Sequence, residues 1–169
     1  ITPSGSAALI VGPESKVFAG DVSRLDNIFV SLDYRESADP SYPEMKTNNY
    51  RDIFKSLGVT GEKIKIGIAS MLDTNAVMMA GLKRDYPEAE IVDAKEIMVS
   101  LRSIKSENEL ACMREGFRIT ELAMNEVIKN LRPGVTELQM VGIAQRVIYE
   151  NGAEYEGLPM YVFSEKSTS

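Results

Sequence analysis

The sequence predicts an α/β domain, with a mixed β-sheet flanked by helices, followed by the beginning of an α+β domain. Three observations carry this prediction. A strand, a helix and a strand follow one another within about 30 residues. The strand-like pattern stops near residues 102–105, and two long helices with clear start signals come after it. We therefore predict one domain over 1–101, a linker over 102–105 and a second domain over 106–169.

The first elements are predicted to be strands. The β-prone runs 7–11 and 16–19 are separated by a short turn that contains glycine and proline, which predicts a hairpin. Residues 27–34 alternate apolar and polar side chains, which predicts a further strand. Residues 37–43 hold two prolines and indicate a loop, and 44–57 then predict a helix that a glycine ends.

The clearest strand covers residues 63–69, where isoleucine occupies every second position. Asp73 or Thr74 is the expected N-cap of the helix that follows, and residues 90–93 are a second short strand. A strand–helix–strand unit of this length normally pairs its strands in parallel through a right-handed crossover. This unit is predicted to form the centre of the first domain.

Two helices dominate the second domain. Ser106 and Glu109 have the spacing of a capping box at the start of a helix of about 25 residues. Thr136 and Gln139 repeat this signal for a helix that ends near Glu150. The first helix carries an apolar stripe at steps of three and four residues, which predicts a buried face. The stripe comprises Leu110, Met113, Phe117, Thr120, Met124, Val127 and Leu131.

The composition argues against several classes of function. The net charge of −6 and the lack of a basic stripe argue against a nucleic-acid partner. The apolar runs are far shorter than the roughly 20 residues of a membrane span. Cys112 is the only cysteine, so an intrachain disulfide is excluded and a reducing, cytoplasmic location is predicted. Ile1 stands where a methionine would start a native chain, which indicates a processed or cut N-terminus.

The chemistry-bearing residues do not form a recognisable site. The chain has no histidine, so catalytic schemes that need one fail within it. Cys112 is predicted to be an inert, partly buried thiol. The pairs Ser103–Lys105 and Ser164–Lys166 lie in a linker and a tail, and we predict that neither forms a serine–lysine catalytic pair.

Two further groups have ordinary interpretations. Asp33, Glu36 and Asp39 lack the spacing of a calcium-binding loop and are predicted to be solvated. Residues 58–63 have two glycines, but they follow a helix and precede a strand, which is the reverse of a phosphate loop. We therefore assign no catalytic, cofactor-binding or metal-binding residue in this chain. Lysines 55, 63 and 65 are predicted to be solvated ends of elements.

Four segments, taken in order, carry a family resemblance. They are Leu101–Leu110, Arg132–Glu137, Gly152–Ala153 and a predicted strand over Leu158–Ser164. Together they resemble the junction between the N-terminal and catalytic domains of the pita-bread metallopeptidases, which include prolidase (Xaa-Pro dipeptidase), aminopeptidase P and creatinase. The resemblance implies a creatinase-type N-terminal domain, followed by the first two helices and the first strand of the pita-bread domain.

The same resemblance implies a function for a longer protein. In this family two divalent metal ions (Mn, Co or Zn) activate a water that attacks an X-Pro peptide bond, and the N-terminal domain helps to form a homodimer. The family's metal ligands are two aspartates, a histidine and two glutamates, and all of them follow the part that this chain resembles. We therefore expect a non-catalytic fragment whose longer form cleaves short proline-containing peptides.

The chain also departs from the family, and two alternatives stay open. We expect it to lack the first helix and strand of the N-terminal domain, and residues 21–42 do not have the family's usual spacing. One alternative is a creatinase-like, metal-free hydrolase of a small amide or amidino compound. The other is a non-enzymatic binding module on the same fold. Metal analysis and X-Pro cleavage by a longer protein separate these alternatives from the peptidase.

Overall fold

The computed structural model describes residues 1–37 and 44–168. The chain forms two compact units, Ile1–Arg102 (unit 1) and Ser103–Ser169 (unit 2). Unit 1 combines short strands with helices, and unit 2 is built on two helices. No helix in the described ranges has both the length and the apolar character needed to cross a bilayer.

Unit 1 begins with a parallel pair of strands. β1 (Leu9–Val11) pairs with β2 (Ile28–Val30). The predicted hairpin is wrong, because its second run is part of helix α1 (Lys16–Val22). Pro13 follows β1 and opens a 3-10 turn that leads directly into α1, and proline favours the first turn of a helix. The chain thus returns through a helical crossover, as a parallel pair requires.

The strand predicted over residues 27–34 is shorter than its alternating pattern. β2 ends at Val30, and Ser31 lies outside the strand as the N-cap of a 3-10 turn. The Ser31 hydroxyl accepts a hydrogen bond from the Asp33 amide at 3.3 Å. A serine side chain that bonds to the backbone two residues ahead favours a turn over continued extension.

The helix predicted over residues 44–57 also starts later than expected. Helix α2 covers Tyr50–Ser56. Asn49 and Asp52 form a capping box at its start, with the Asp52 amide donating to the Asn49 side chain at 2.9 Å. This reciprocal cap fixes the first turn at that point of the sequence. Most of the predicted loop that precedes the helix lies outside the described residues.

The predicted strand–helix–strand unit is confirmed. β3 (Lys65–Ile68), helix α3 (Ala76–Asp85) and β4 (Glu90–Asp93) follow in order, and the two strands pair in parallel. The described residues thus contain two sheets of two strands each, both parallel, in place of the mixed sheet that the sequence suggested.

The two residues predicted to cap α3 lie in the turn before it. The Ser70 hydroxyl donates to the Asp73 carboxylate at 2.5 Å, and the Thr74 hydroxyl donates to the Ser70 carbonyl at 2.8 Å. Asn75 is the N-cap instead, and its side chain accepts from the Met78 amide at 2.9 Å. Sequence alone did not distinguish between three adjacent residues that all favour this position.

The core of unit 1 is an aromatic cluster between α2 and α3. Tyr50, Leu82 and Tyr86 are buried at its centre. Phe54 stacks on Tyr86 with ring centroids 5.2 Å apart, and it meets Tyr50 edge-on at 6.1 Å. Ile53 on α2 is the most completely buried large side chain in the described residues, with 1% of its surface exposed. Isoleucines of β3 and β4 pack against this cluster.

Helix α4 (Lys95–Ser103) reaches the boundary between the units. Unit 2 then forms helix α5 (Glu107–Asn130) and helix α6 (Glu137–Glu150), and both predicted capping boxes are confirmed. The amides of Ser106 and Thr136 donate to the side chains three residues ahead at 2.7 Å and 2.9 Å.

Helices α5 and α6 form an antiparallel pair. Arg146 on α6 lies 3.8 Å from Glu126 on α5. α6 ends in a Schellman motif at Gly152 (φ 89°), where the Ala153 amide donates to the Ile148 carbonyl at 3.0 Å. The buried side chains between the helices are Ile119, Ala123, Ala144, Val147 and Ile148.

The predicted strand over Leu158–Ser164 is wrong for this chain. No regular strand forms there, although the segment keeps its alternating pattern. A strand is stabilised by hydrogen bonds to a neighbouring strand, and no other strand lies in the described part of unit 2. The segment is held at its end, where the Ser164 amide donates to Glu137 at 2.5 Å.

Candidate functional site

The candidate site of unit 2 is an apolar groove beside α5. α5 and α6 form one side, and the segment 155–162 forms the other, around a volume of about 600 Å³. We call this site the α5 groove. Its lining side chains are almost all apolar, and Glu156 is its one charged lining residue. The α5 contribution to the lining comprises Met113, Gly116, Phe117, Ile119, Thr120, Ala123, Met124 and Val127.

The apolar stripe predicted to be buried is largely open to solvent. Phe117 is 71% exposed and Met124 is 58% exposed, and residues 111–118 are exposed throughout. Length explains the difference, because a helix of 24 residues extends about 36 Å and one of 14 residues about 21 Å. α6 therefore covers the second half of α5 and leaves the first half without a partner in the described unit.

Glu156 at the groove is already engaged in hydrogen bonds. Its carboxylate accepts from the Gln145 side chain at 2.6 Å and from the Tyr149 hydroxyl at 2.8 Å. A hydrogen bond from its own backbone amide, together with those from Tyr149 and Gln145, lowers the pKa of this carboxyl. The Glu156 carboxylate therefore holds the segment 155–162 against α6. The remaining surface of the groove is apolar.

A second acidic anchor ties the tail to the start of α6. Glu137 accepts from the Ser164 amide and from the Ser167 hydroxyl. These hydrogen bonds, with Ser164 as the largest contributor, lower the pKa of the Glu137 carboxyl. These hydrogen bonds join the tail of the chain to the first turn of α6, so we assign Glu137 a structural role.

In the described part of unit 1, one charged group is buried. Asp85, at the end of α3, accepts from the Tyr50 amide at 2.8 Å and from Arg84 Nε at 2.8 Å. Burial opposes ionisation of Asp85, but the hydrogen bonds from Arg84 and Tyr50 outweigh it and lower the pKa of the carboxyl. Arg84 also reaches Asp33 at 3.3 Å. The network joins the start of α2 to α3.

Gly81 lets this network approach α3 closely. A Cβ at this position would lie 2.1 Å from a carboxylate oxygen of Asp33 and 2.9 Å from the Tyr50 ring. Burial, followed by the hydrogen bond with Tyr34, raises the pKa of the Tyr50 hydroxyl. These contacts hold three elements of unit 1 together.

The structure places the sequence candidates apart from one another. Cys112 is exposed on α5, so the prediction of a partly buried thiol is wrong. The Lys105 ammonium donates to the Ser103 backbone carbonyl at 3.2 Å. The Ser164 hydroxyl lies 3.4 Å from the hydroxyl of Ser167. Neither contact is the lysine-to-hydroxyl hydrogen bond that a serine–lysine pair uses.

The acidic candidates also separate. Asp33 pairs with Arg84, and Asp39 lies outside the described residues. Within residues 1–37 and 44–168, no three side chains of His, Cys, Asp or Glu come together to hold a metal ion. Lys63 and Lys65 pair with glutamates at 3.7 Å and 3.0 Å.

Sequence analysis missed the groove as a site because it treated the stripe as core. The signal was present in the unequal lengths of the two predicted helices, since a helix of 14 residues cannot cover one of 24. Exposed apolar side chains line the groove, including Tyr155, Leu158 and Tyr161.

Known structures share this fold. The chain is similar to the X-Pro aminopeptidase of Thermotoga maritima, with a TM-score of 0.60 and 17% identity over 89% of this chain and 38% of that one. It is also similar to the prolidase of Pyrococcus furiosus, with a TM-score of 0.57 and 17% identity over 88% of this chain and 37% of that one. The chain therefore shares the fold of part of each of these two proteins.

Sequence comparison shows a similarity to one peptidase family in the second half of the chain. Residues 111–169 match the family model of metallopeptidase family M24. A stretch of 80 residues is 32% identical to an uncharacterized hydrolase/peptidase of Sinorhizobium fredii, and it covers 47% of this chain and 20% of that protein. The chain is therefore similar to this family over about a third of its length. It spans a fifth of this curated relative and less than two fifths of each solved chain.

Proposed function

We propose that this chain is the non-catalytic N-terminal part of an Xaa-Pro metallopeptidase of the prolidase or aminopeptidase P type. The observation that carries the proposal is the match to metallopeptidase family M24, which begins inside α5 and continues through α6. The solved neighbours are named as an X-Pro aminopeptidase and a prolidase, which supports the X-Pro substrate class.

We propose that the metal ions bind outside the described residues. Pita-bread peptidases use two divalent ions, for which we propose Mn, Co or Zn, to activate a water. The described residues do not fit such a pair, because they bring no three ligating side chains together. The chain has no histidine to contribute. We therefore derive no catalytic step in this chain and assign the ligands to the remainder of the longer protein.

This chain would supply structure to the peptidase. We propose that residues 1–101 are the N-terminal domain, residues 102–105 the linker and residues 106–169 the start of the catalytic domain. We propose that the longer protein is a cytoplasmic homodimer that takes short proline-containing peptides. The net charge of −6 and the single cysteine support a partner other than nucleic acid and a reducing compartment.

The test compares the longer protein with the 169-residue chain. Each is assayed with X-Pro dipeptides and X-Pro-X tripeptides in the presence of Mn²⁺, Co²⁺ or Zn²⁺, and X-Ala peptides serve as the matched substrate control. We expect the longer protein to cleave the X-Pro bond and lose activity on chelation, and the 169-residue chain to cleave nothing.

Other outcomes of this assay would support a different function. Hydrolysis of a small amide or amidino compound by metal-free longer protein would indicate a creatinase-like enzyme. Intact metal ligands without hydrolysis of any substrate would indicate a binding module. Turnover by the 169-residue chain itself would contradict the assignment of this chain as non-catalytic.

A further inference from the structure

The end of α6 carries an asparagine–glycine pair. Asn151 is the C-cap of the helix and Gly152 follows it, and no other asparagine in the sequence precedes a glycine. Asparagine is a thermolabile residue. A following glycine makes it more reactive, because no side chain hinders attack by the glycine backbone nitrogen on the asparagine side chain. The chemistry of this pair therefore allows a covalent modification, and the local geometry controls it.

The reaction is a deamidation through a cyclic imide. The Gly152 backbone nitrogen attacks the side-chain carbonyl carbon of Asn151, and the bond from that carbon to Nδ2 breaks. Nδ2 leaves as ammonia and takes the proton of the Gly152 amide. Water then opens the ring at either of its two carbonyls, which gives aspartate or isoaspartate at position 151. The only co-reactant is water.

Both reacting groups are held by hydrogen bonds in the helix cap. Asn151 Nδ2 donates to the Val147 carbonyl at 2.9 Å, and the Gly152 amide donates to the Tyr149 carbonyl at 3.1 Å. Ring closure also requires the Asn151 Cβ and the Gly152 nitrogen to be nearly eclipsed about the Cα–C bond. The Asn151 ψ of 12° keeps these two atoms apart. The folded cap therefore opposes the reaction in two ways.

We propose that Asn151–Gly152 is a latent deamidation site, which the C-terminal cap of α6 protects and which reacts when this end of the helix opens. Helix ends open locally more often than helix centres, and a modification that needs opening follows the population of the open form. Gly152 is exposed and Asn151 is half-buried, so water reaches the opened pair. The inference concerns the lifetime of unit 2 and goes beyond the proposed function.

The modification makes the opening permanent. Aspartate at position 151 lacks the Nδ2 donor and places a negative charge at the C-terminus of α6, where the helix dipole disfavours it. Isoaspartate adds a methylene to the backbone and moves the Ala153 amide out of register with the Ile148 carbonyl, to which it donates at 3.0 Å. Ala153 packs against the buried cluster between α5 and α6. Deamidation therefore loosens the helix pair.

The main test compares the folded 169-residue chain with the same chain unfolded in guanidinium chloride. Both are incubated at one mildly alkaline pH and one temperature. Mass spectrometry follows the peptide that contains Asn151, and chromatography separates its aspartate and isoaspartate forms. We expect Asn151 to react at least about tenfold more slowly in the folded chain, because only the open fraction reacts.

Asn130 at the end of α5 is the internal control. Its side chain makes the same kind of bond, donating to the carbonyl four residues earlier at 2.8 Å. Leu131 follows it, and a leucine side chain hinders attack by the backbone nitrogen. We expect Asn130 to react far more slowly than Asn151 in the unfolded chain, which shows that the glycine sets the reactivity.

Two substitutions of Ala153 test the cap without changing the asparagine–glycine pair. Ala153→Pro removes the amide that donates to Ile148, and Ala153→Ser keeps it. We expect Ala153→Pro to raise the rate of the folded chain several-fold towards the unfolded rate, and Ala153→Ser to leave it near that of wild type. Circular dichroism checks that both variants retain their helices.

Three results would overturn the inference. Equal rates in the folded and unfolded wild-type chain would show that the cap gives no protection. A lack of deamidation at Asn151 in the unfolded chain would show that the pair is not reactive. An unchanged rate in folded Ala153→Pro would show that the capping hydrogen bonds are not the protecting contacts. If Ala153→Pro does not fold, the comparison of folded and unfolded wild type still decides.

Discussion

The aromatic cluster of unit 1 and the helix pair of unit 2 differ in how completely they are enclosed. Tyr50 and Tyr86 in unit 1 are 3% and 4% exposed, whereas Phe117 in unit 2 is 71% exposed. Both regions have well-capped helices. Local signals therefore form a helix in either place, but enclosure of its apolar face requires partners that are distant in sequence.

The carboxylates of the two units also differ in how completely they are buried. In unit 1 the buried Asp85 accepts hydrogen bonds from two elements that are far apart in sequence, at the start of α2 and the end of α3. In unit 2 the Glu156 carboxylate bonds to α6 and the Glu137 carboxylate bonds to Ser164 and Ser167, and both glutamates are half-buried. Unit 1 closes its core with contacts of its own, and unit 2 leaves one face open.

The largest predicted difference comes from truncating one core isoleucine in each unit. Ile53 is enclosed by unit 1, and we expect Ile53→Ala to lower the free energy of unfolding of that unit by about 3–4 kcal/mol. Ile119 borders the α5 groove, so Ile119→Ala creates little new cavity and costs about 1–2 kcal/mol.

Urea titration tests this pair of substitutions. Hydrogen exchange at increasing urea concentration reports the opening of each unit separately, through the α2 amides for unit 1 and the α6 amides for unit 2. Equal losses for the two variants would contradict the difference in enclosure between the units.

A smaller effect is expected from the buried carboxylate of unit 1. Asp85→Asn keeps an acceptor for the Tyr50 amide but removes the charge opposite Arg84, and we expect a loss of about 1–3 kcal/mol near neutral pH. Arg84 is half-exposed, which limits the contribution of the ion pair. The exposed Asp26→Asn is the matched control.

The pH dependence of this loss has a defined sign. The folded state lowers the pKa of Asp85, so the stabilisation is complete above the unfolded-state pKa of about 3.9 and is lost as pH falls towards the lower folded value. Wild type and Asp85→Asn should therefore converge in stability below about pH 4. A constant difference from pH 7 to pH 3 would show that Asp85 acts through its shape alone.

The smallest effect is expected at a helix cap of unit 2. Ser106→Ala removes the side chain that accepts from the Glu109 amide, and we expect a cost of about 1 kcal/mol. Thermal melting followed by the helical circular dichroism signal measures it. A cost above that of Ile119→Ala would mean that the cap, and not the contact with α6, stabilises α5.

The sequence predicted the features that depend on neighbouring residues. Both capping boxes of unit 2, the strand–helix–strand unit and the bounds of β4 were correct because their signals lie within a few residues. The hairpin failed because Pro13 favours a helical turn as well as a loop. The strand over 158–164 and the buried stripe of α5 failed because each depends on a distant partner. The α5 groove is open because the described residues supply no such partner.

Hydrogen exchange of the α5 backbone amides tests the central claim most directly. Amides in a helix exchange through local opening, and a packed cover on the exposed face makes that opening less frequent. We predict that in the 169-residue chain the amides of residues 111–118 exchange at least about tenfold faster than those of residues 119–127, which α6 covers. Equal exchange of the two halves of α5 would contradict the claim that α6 encloses only the second half of this helix.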